Sequence, residues 1–160
     1  MRMLSADPRV VFIGQNVAYP GNVIYDSLDG IPMNQRIELP VIEETQMGMT
    51  IGLSLAGYIP VSIYPRMDFL LLAMNQLVNH LDKIPLMSQG GYKPKVIIRC
   101  KIGNKTPLDA GPQHTQDYTA AFRSMLTTVR VVKLDDLSRA TEIYAEALQA
   151  DVSTLIAEVW

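Results

Sequence analysis

The sequence predicts an α/β protein, a three-layer sandwich around a mostly parallel sheet of about six strands, and three observations carry that prediction. Short β-branched runs alternate with longer segments of helical period, the pattern of strands joined by crossover helices. Several of these runs are apolar at successive positions, as strands covered on both faces require. The 160 residues suit one domain, 1–160, because a chain of this size buries roughly 70% of its unfolded surface and can hold a core of its own.

The strands are expected at Val10 to Ile13, Ile37 to Leu39, Val61 to Tyr64, Val96 to Cys100, Val129 to Val132 and Thr154 to Glu158. Helices are expected at Glu43 to Ala56, Met67 to Lys83, Gln116 to Met125 and Asp135 to Ala150. In the last helix Leu137, Ala140, Tyr144, Ala147 and Leu148 recur at helical spacing, with Arg139, Glu142 and Glu146 opposite, so one face is expected on the sheet. Asp135 and Asp136 supply the acidic start such a helix favours. Turn signals lie at Tyr19 to Asn22, Asp29 to Pro32, Gln89 to Gly91 and Asp109 to Pro112. The stretch from Gly103 to Gln113 has no period and ends beside one of two histidines; a functional loop and a plain surface excursion suit its composition equally.

Composition excludes several classes of function. The formal charge of −2 shows no basic stripe and no acidic tail, so nucleic acid and anionic membrane surfaces are not expected partners. No window approaches the roughly 20 apolar residues of a membrane span. Cys100 is the lone cysteine and sits in an apolar run, as a buried thiol does in a reducing compartment. The amino terminus reaches charged residues too early for a secretory signal, and a soluble, cytoplasmic protein is expected.

Two adjacent carboxylates, Glu43 and Glu44, open the first long helix. Acidic residues in a first turn ordinarily interact with the helix dipole and free amides, and on composition alone that role outweighs chemistry by roughly three to one. The surrounding pattern changes this balance. Pro40, Val41, Ile42, Glu43, Gly48 and Gly52 resemble, without a gap, the Pro-Ile-x-Glu and Gly-x-x-x-Gly pattern of the pyrimidine-binding domain of thiamine-diphosphate enzymes. The similarity is greatest to the beta subunit of the pyruvate dehydrogenase first component, with transketolase close behind. Ala56 to Phe69 resembles the family's next strand and the aromatic after it, and Ala73 to Asn79 its Ala-x-Asp-Gln-Ile-x-Asn helix. Gln113-His114-Thr115-Gln116 resembles its Gln-His-Ser-Gln motif. The likeness runs from about Asp7 to Trp160, with three specific motifs in the family's order.

The resemblance implies roles residue by residue. Glu43 falls on the glutamate that hydrogen-bonds the N1′ nitrogen of the cofactor's aminopyrimidine, in a poorly solvated pocket that would let it share a proton near neutral pH. Phe69 falls on the aromatic against that ring, worth about 0.5–1.5 kcal/mol beyond burial, although an ordinary core phenylalanine is its plain alternative. Tyr64 and Arg66 are close enough in sequence to line the same pocket. His114 falls on a histidine facing the reacting end, where an ordinary pKa near 6.5 suits proton traffic; without the resemblance a surface histidine would be the expectation. His80 has no such support and is expected to be structural. Gly48 and Gly52 are expected to let the helix pack closely on its neighbours.

Departures shape the rest. Gln15 stands where the family usually has an acid, and Leu126-Thr127-Thr128 replaces a Pro-Gly before the fifth strand. No Gly-Asp-Gly with a following Asn-Asn occurs, Asp29-Gly30 being only a turn, and no histidine/cysteine cluster has metal spacing. The implied function is therefore that of a pyrimidine-binding subunit, inactive alone. A separate diphosphate-binding, alpha-type subunit would hold most of the thiamine diphosphate and its magnesium in a heterotetramer; a homodimer of this chain is the other expected assembly. The implied substrate is a 2-oxo acid, with oxidative transfer to a lipoyl carrier as the leading chemistry. A split transketolase acting on ketoses, a 2-oxoacid decarboxylase subunit and a noncatalytic regulatory homologue are the alternatives.

Overall fold

A computed structural model of the chain describes residues 1–106 and 109–159. Its centre is one six-stranded sheet, wholly parallel, in the order β2-β1-β3-β4-β6-β5. The strands are β1 (Val10–Gly14), β2 (Arg36–Glu38), β3 (Ile59–Tyr64), β4 (Ile97–Ile102), β5 (Arg130–Leu134) and β6 (Thr154–Val159). Each overlaps an expected strand, the central β1 and β3 because strands covered on both faces are apolar at successive positions, and the edge strand β2 in spite of its two charged residues. Helices α1 (Arg2–Ser5), α2 (Val23–Ser27), α3 (Glu43–Leu55), α4 (Met67–Leu70), α5 (Ile84–Met87), α6 (Thr119–Met125) and α7 (Ala140–Gln149) form the outer layers.

Alternation along the strands separates two cores. Val96, Ile98, Cys100 and Ile102 face a cluster with Met47 and Ile51 of α3, Leu70, Leu77 and Phe122. Phe12, Val61, Ile63, Ile97 and Ile156 face the opposite cluster, with Leu4, Ile24, Ile143 and Ala147. Each fully buried aliphatic or aromatic side chain contributes about 1.5–3 kcal/mol, so both helical layers are held by the sheet. Cys100 is fully buried, and burial pushes its thiol well above the ordinary range. That thiol is inert rather than reactive.

α3 buries Glu43, Gln46, Met47, Thr50 and Ile51, the i, i+3, i+4, i+7, i+8 stripe of an amphipathic helix. It ends where Gly57 takes φ of +95°, with Gly57 N–H donating to the Ser54 carbonyl and Tyr58 N–H to the Leu53 carbonyl. This paired arrangement needs a left-handed residue after the helix and stops it before β3.

The segment expected as one helix from Met67 to Lys83 is instead a succession of pitches. It runs through α4, a 3-10 turn at Leu71–Ala73, a π-helix at Asn75–Leu81 and then α5. The buried positions explain the change. Met67, Leu70 and Ala73 are three residues apart, which a tight turn aligns, whereas Ala73, Leu77 and Leu81 are four apart, which a wider turn accommodates. The helix expected from Gln116 begins at Thr119, and the one expected from Asp135 opens as a 3-10 turn, Leu137–Arg139, capped by Asp136 accepting from Ser138 N–H. Short α1, α2 and α5 carry too few turns for a periodic signal in the sequence.

At the amino-terminal edge of the sheet, Asp82 is fully buried. Its carboxylate accepts from the backbone N–H groups of Thr127, Thr128 and Val129 at 2.9, 2.7 and 3.0 Å, from Thr127 Oγ1 at 2.8 Å and from Lys83 Nζ at 2.6 Å. Burial alone would push this carboxyl up, but Lys83 and the amide donors hold it well below the usual carboxylate range. The Leu126-Thr127-Thr128 departure thus builds an anchor that a proline, lacking N–H, could not complete.

Candidate functional site

The chain passes from β1 to β2 on one side and then to β3 on the other, so the strand order reverses between β1 and β3. Loops leaving the carboxyl ends of such neighbours diverge and leave a crevice, the usual ligand position in an open α/β sheet. Here Gln15 and Asn16 follow β1, and Pro65 and Arg66 follow β3. With Asn22, Phe69 and His114 they line a cavity of about 300 Å³. A neighbouring cavity of about 510 Å³ shares Gln15 and Asn16 and continues over Glu38 and Pro40 toward the start of α3. A third cavity, about 350 Å³, touches Leu81, Pro94, Thr127 and Ser153 at the opposite edge and shares no residue with the crevice.

Glu43 begins α3 and is only 8% exposed, while the adjacent Glu44 is exposed and receives Asn75 Nδ2 at 3.4 Å. Among the described residues no group donates a hydrogen bond to the Glu43 carboxylate. Its backbone is fixed instead: the Tyr64 hydroxyl donates to the Glu43 carbonyl at 3.3 Å. Gln46 Nε2 donates to Ser62 Oγ at 3.1 Å and to the Ile63 carbonyl at 3.0 Å, and Thr50 Oγ1 lies 3.1 Å from Ser62 Oγ. These buried polar contacts rivet the first turns of α3 to β3. Burial pushes the Tyr64 hydroxyl well up against the effect of Ser62, and the nearby Glu43 charge adds to it.

Phe69 and His114 meet as a perpendicular ring pair with centroids 5.4 Å apart. Two further contacts bring their segments together: Gln116 Nε2 donates to Asp68 Oδ1 at 3.0 Å, and Tyr118 N–H points to Met67 Sδ at 3.0 Å. Gly103 is a close approach, since a Cβ there would fall 1.7 Å from the His114 carbonyl oxygen. Only glycine fits at that contact, and the two ends of the loop after β4 close on it. Within that loop Pro107 and Leu108 lie outside the described residues.

The structure thus joins Phe69 and His114 around one cavity and places Glu43 at the head of α3, beyond the neighbouring cavity. Tyr64, grouped by sequence with the ring-binding residues, is 1% exposed and lines neither cavity; its place is beneath the Glu43 backbone. His80 is exposed and outside the cavity walls. A Cβ added at Gly52 would meet nothing within 4 Å and one at Gly48 only Gln76, at 3.7 Å or more, so neither position needs glycine for close packing inside this chain; Gly52 is exposed and Gly48 half-buried. Asn16 and Asn22 were not singled out by sequence as site residues; the signal for Asn22 was the turn composition from Tyr19 to Asn22, where Asn22 caps α2. Among the described residues no group of three His, Cys, Asp or Glu side chains is placed to hold a metal ion.

No family model matches the chain. It is 32% identical over 129 residues to the pyruvate dehydrogenase E1 component subunit beta, mitochondrial, of Chaetomium thermophilum, covering 76% of this chain and 32% of that protein. It is 29% identical over 126 residues to the corresponding subunit beta of Chaetosphaeridium globosum, covering 76% of this chain and 38% of the relative. A solved structure described as split gene transketolase, inactive beta4 tetramer, superposes with a TM-score of 0.75 at 18% identity, over 98% of this chain and 47% of that one. The chain spans about a third of the length of the curated relatives it matches. The chain is similar to one segment of the pyruvate dehydrogenase E1 beta subunits, and it carries the transketolase-like α/β fold.

Proposed function

We propose that the chain is the pyrimidine-binding subunit of a thiamine-diphosphate-dependent enzyme that acts on a 2-oxo acid, with residues 1–160 forming that single domain. The observation that carries this reading is Glu43, a buried carboxylate at a helix start with no internal donor. Its carboxylate oxygens are not among the fully buried unpartnered atoms, so the group reaches the surface, where a ligand can complete it. The aminopyrimidine end of thiamine diphosphate fits, because its ring nitrogen matches a lone carboxyl group and its flat ring suits the aromatic Phe69.

When bound, thiamine diphosphate supplies an electron sink for cleavage next to a carbonyl. Glu43 holds and returns a proton at its carboxylate, worth about 10²- to 10⁴-fold in rate for a general acid/base. Tyr64, through the Glu43 carbonyl, and Gln46, through β3, keep that carboxylate in register. His114, edge-to-face with Phe69 in the wall of the same cavity, donates hydrogen bonds or protons to substrate there.

The diphosphate and magnesium are assigned to an alpha-type partner, since the sequence lacks the Gly-Asp-Gly and Asn-Asn motif. The outer side of α3 supports such docking: Met49 and Leu55 are 41% and 49% exposed beside Gly52, and Leu72 on the adjoining turn is 62% exposed. Lipoyl-directed oxidation is the leading chemistry, given the named relatives; transketolase-type transfer on ketoses is the alternative that the fold neighbour favours. That neighbour's description as an inactive tetramer of beta chains also favours a chain that is inactive by itself. The cytoplasm is the proposed compartment, on the strength of the free, buried Cys100; no helix among the described residues is long and apolar enough to cross a membrane.

Coexpression with candidate diphosphate-binding subunits tests the proposal. A heteromer with thiamine-diphosphate-dependent decarboxylation of a 2-oxo acid, lost in Glu43→Gln, is the expected result. Activity that is unaffected by Glu43→Gln, or a partner whose rate the chain alters regardless of that change, would overturn it in favour of a regulatory protein.

A further inference from the structure

The cavity between β1 and β3 has a feature that the pyrimidine site does not use. Of its lining residues, Arg66 carries the full charge, and none of Gln15, Asn16, Asn22, Phe69 or His114 is a carboxylate. Arg66 is half-buried; its Nη1 donates to the neighbouring Pro65 carbonyl at 2.9 Å, while its Nε is buried with no hydrogen-bond partner. Of the acids in the flanking segments, Glu38 takes the amides of Asn16 and Ala18 at 2.7 and 2.8 Å, and Asp68 gives Oδ1 to Gln116 while its Oδ2 is buried with no hydrogen-bond partner.

A buried guanidinium nitrogen without an acceptor costs about 1–3 kcal/mol, and a planar fork of this kind matches carboxylate or phosphate oxygens. We propose that Arg66 is the receptor for the anionic group of the substrate, with the cavity around Asn16, Phe69 and His114 as the pocket that admits it. The ligand is a small anion that carries its reacting carbonyl toward His114, the carboxylate of a 2-oxo acid first, the phosphate of a phosphorylated ketose as the other source of the same chemistry. Calling this ligand a substrate rests on the proposed thiamine-diphosphate function; the anion site itself does not.

Nuclear magnetic resonance on the labelled chain tests the site without cofactor or partner, because arginine Nε–H groups and the two histidine rings give separable signals. Pyruvate is expected to shift the Arg66 Nε–H and His114 ring signals saturably and leave His80 unmoved, whereas the neutral ester methyl pyruvate moves neither. Arg66→Gln is expected to weaken pyruvate at least tenfold, and Arg66→Lys to keep part of the affinity. Tighter binding of inorganic phosphate than of pyruvate, through the same two signals, would assign the site to a phosphorylated ketose. Equal shifts with methyl pyruvate, unchanged affinity in Arg66→Gln, or no saturable shift at Arg66 with either anion would overturn the proposal. Failure here leaves the Glu43 test standing, and failure of Glu43→Gln with intact Arg66 binding removes only the cofactor reading.

Discussion

Asp82 and Glu43 are both buried carboxylates, at opposite edges of the same sheet, and they differ in what surrounds them. Asp82 accepts from three successive amides, a threonine hydroxyl and Lys83. Glu43 has its backbone held by Tyr64 and its side chain left without a donor. A third acid, Glu158, follows the Asp82 pattern, with both oxygens 3.1 Å from Arg99 Nε and Oε1 2.7 Å from the Tyr144 hydroxyl. The contrast separates anchors, whose hydrogen bonds are completed inside the chain, from a group kept open for something outside it. Asp82 at the amino-terminal edge and Glu158 toward the carboxyl end of β6 are anchors, and Glu43 at the head of α3 is the acid left open.

Substitutions at the two acids should give opposite outcomes. Glu43→Gln in the heteromer should lower cofactor-dependent turnover by about 10²-fold or more while thermal unfolding of the chain barely moves. Asp82→Ala should leave several buried donors unpaired, cost about 2–4 kcal/mol and lower the melting temperature by roughly 5–15 °C in calorimetry. If Glu43→Gln unfolds the chain and Asp82→Ala does not, the division between anchored and open acids is wrong.

The pH dependence sharpens the same comparison. Because the Asp82 carboxyl is held below its unfolded value of about 3.9, its stabilisation is complete above that pH and fades as pH falls toward the lower folded value. Acid titration of stability should therefore show a loss below about pH 4 that flattens in Asp82→Asn.

Gly103→Ala should push the His114 backbone out of place and destabilise the chain by about 1–3 kcal/mol, visible as a moved His114 ring signal with the His80 signal unchanged. The smallest effect is expected at Phe69→Leu, which should weaken cofactor binding by about 0.5–1.5 kcal/mol, measured by titration of the heteromer.

The sheet was legible because its central strands are largely apolar runs, as in Val10–Gly14, Ile59–Tyr64 and Thr154–Val159. The segment after Met67 was not, since a binary pattern reports one period at a time and the buried spacing there changes from three to four. The cavity was only partly legible. Asn16, Arg66 and His114 come together through crossovers spanning roughly fifty residues each, and topology, not local spacing, sets that meeting. Tyr64 shows the converse: neighbourhood in sequence to Phe69 suggested a place in the pocket, but strand alternation turned it into the core beneath Glu43.

The open state of Glu43 is tested most directly by calorimetric titration of thiamine diphosphate with magnesium into the purified heteromer, comparing Glu43→Gln with Glu44→Gln. At least tenfold weaker binding in Glu43→Gln, with Glu44→Gln indistinguishable from the unaltered protein, is the predicted result. Equal affinity in all three proteins would contradict it.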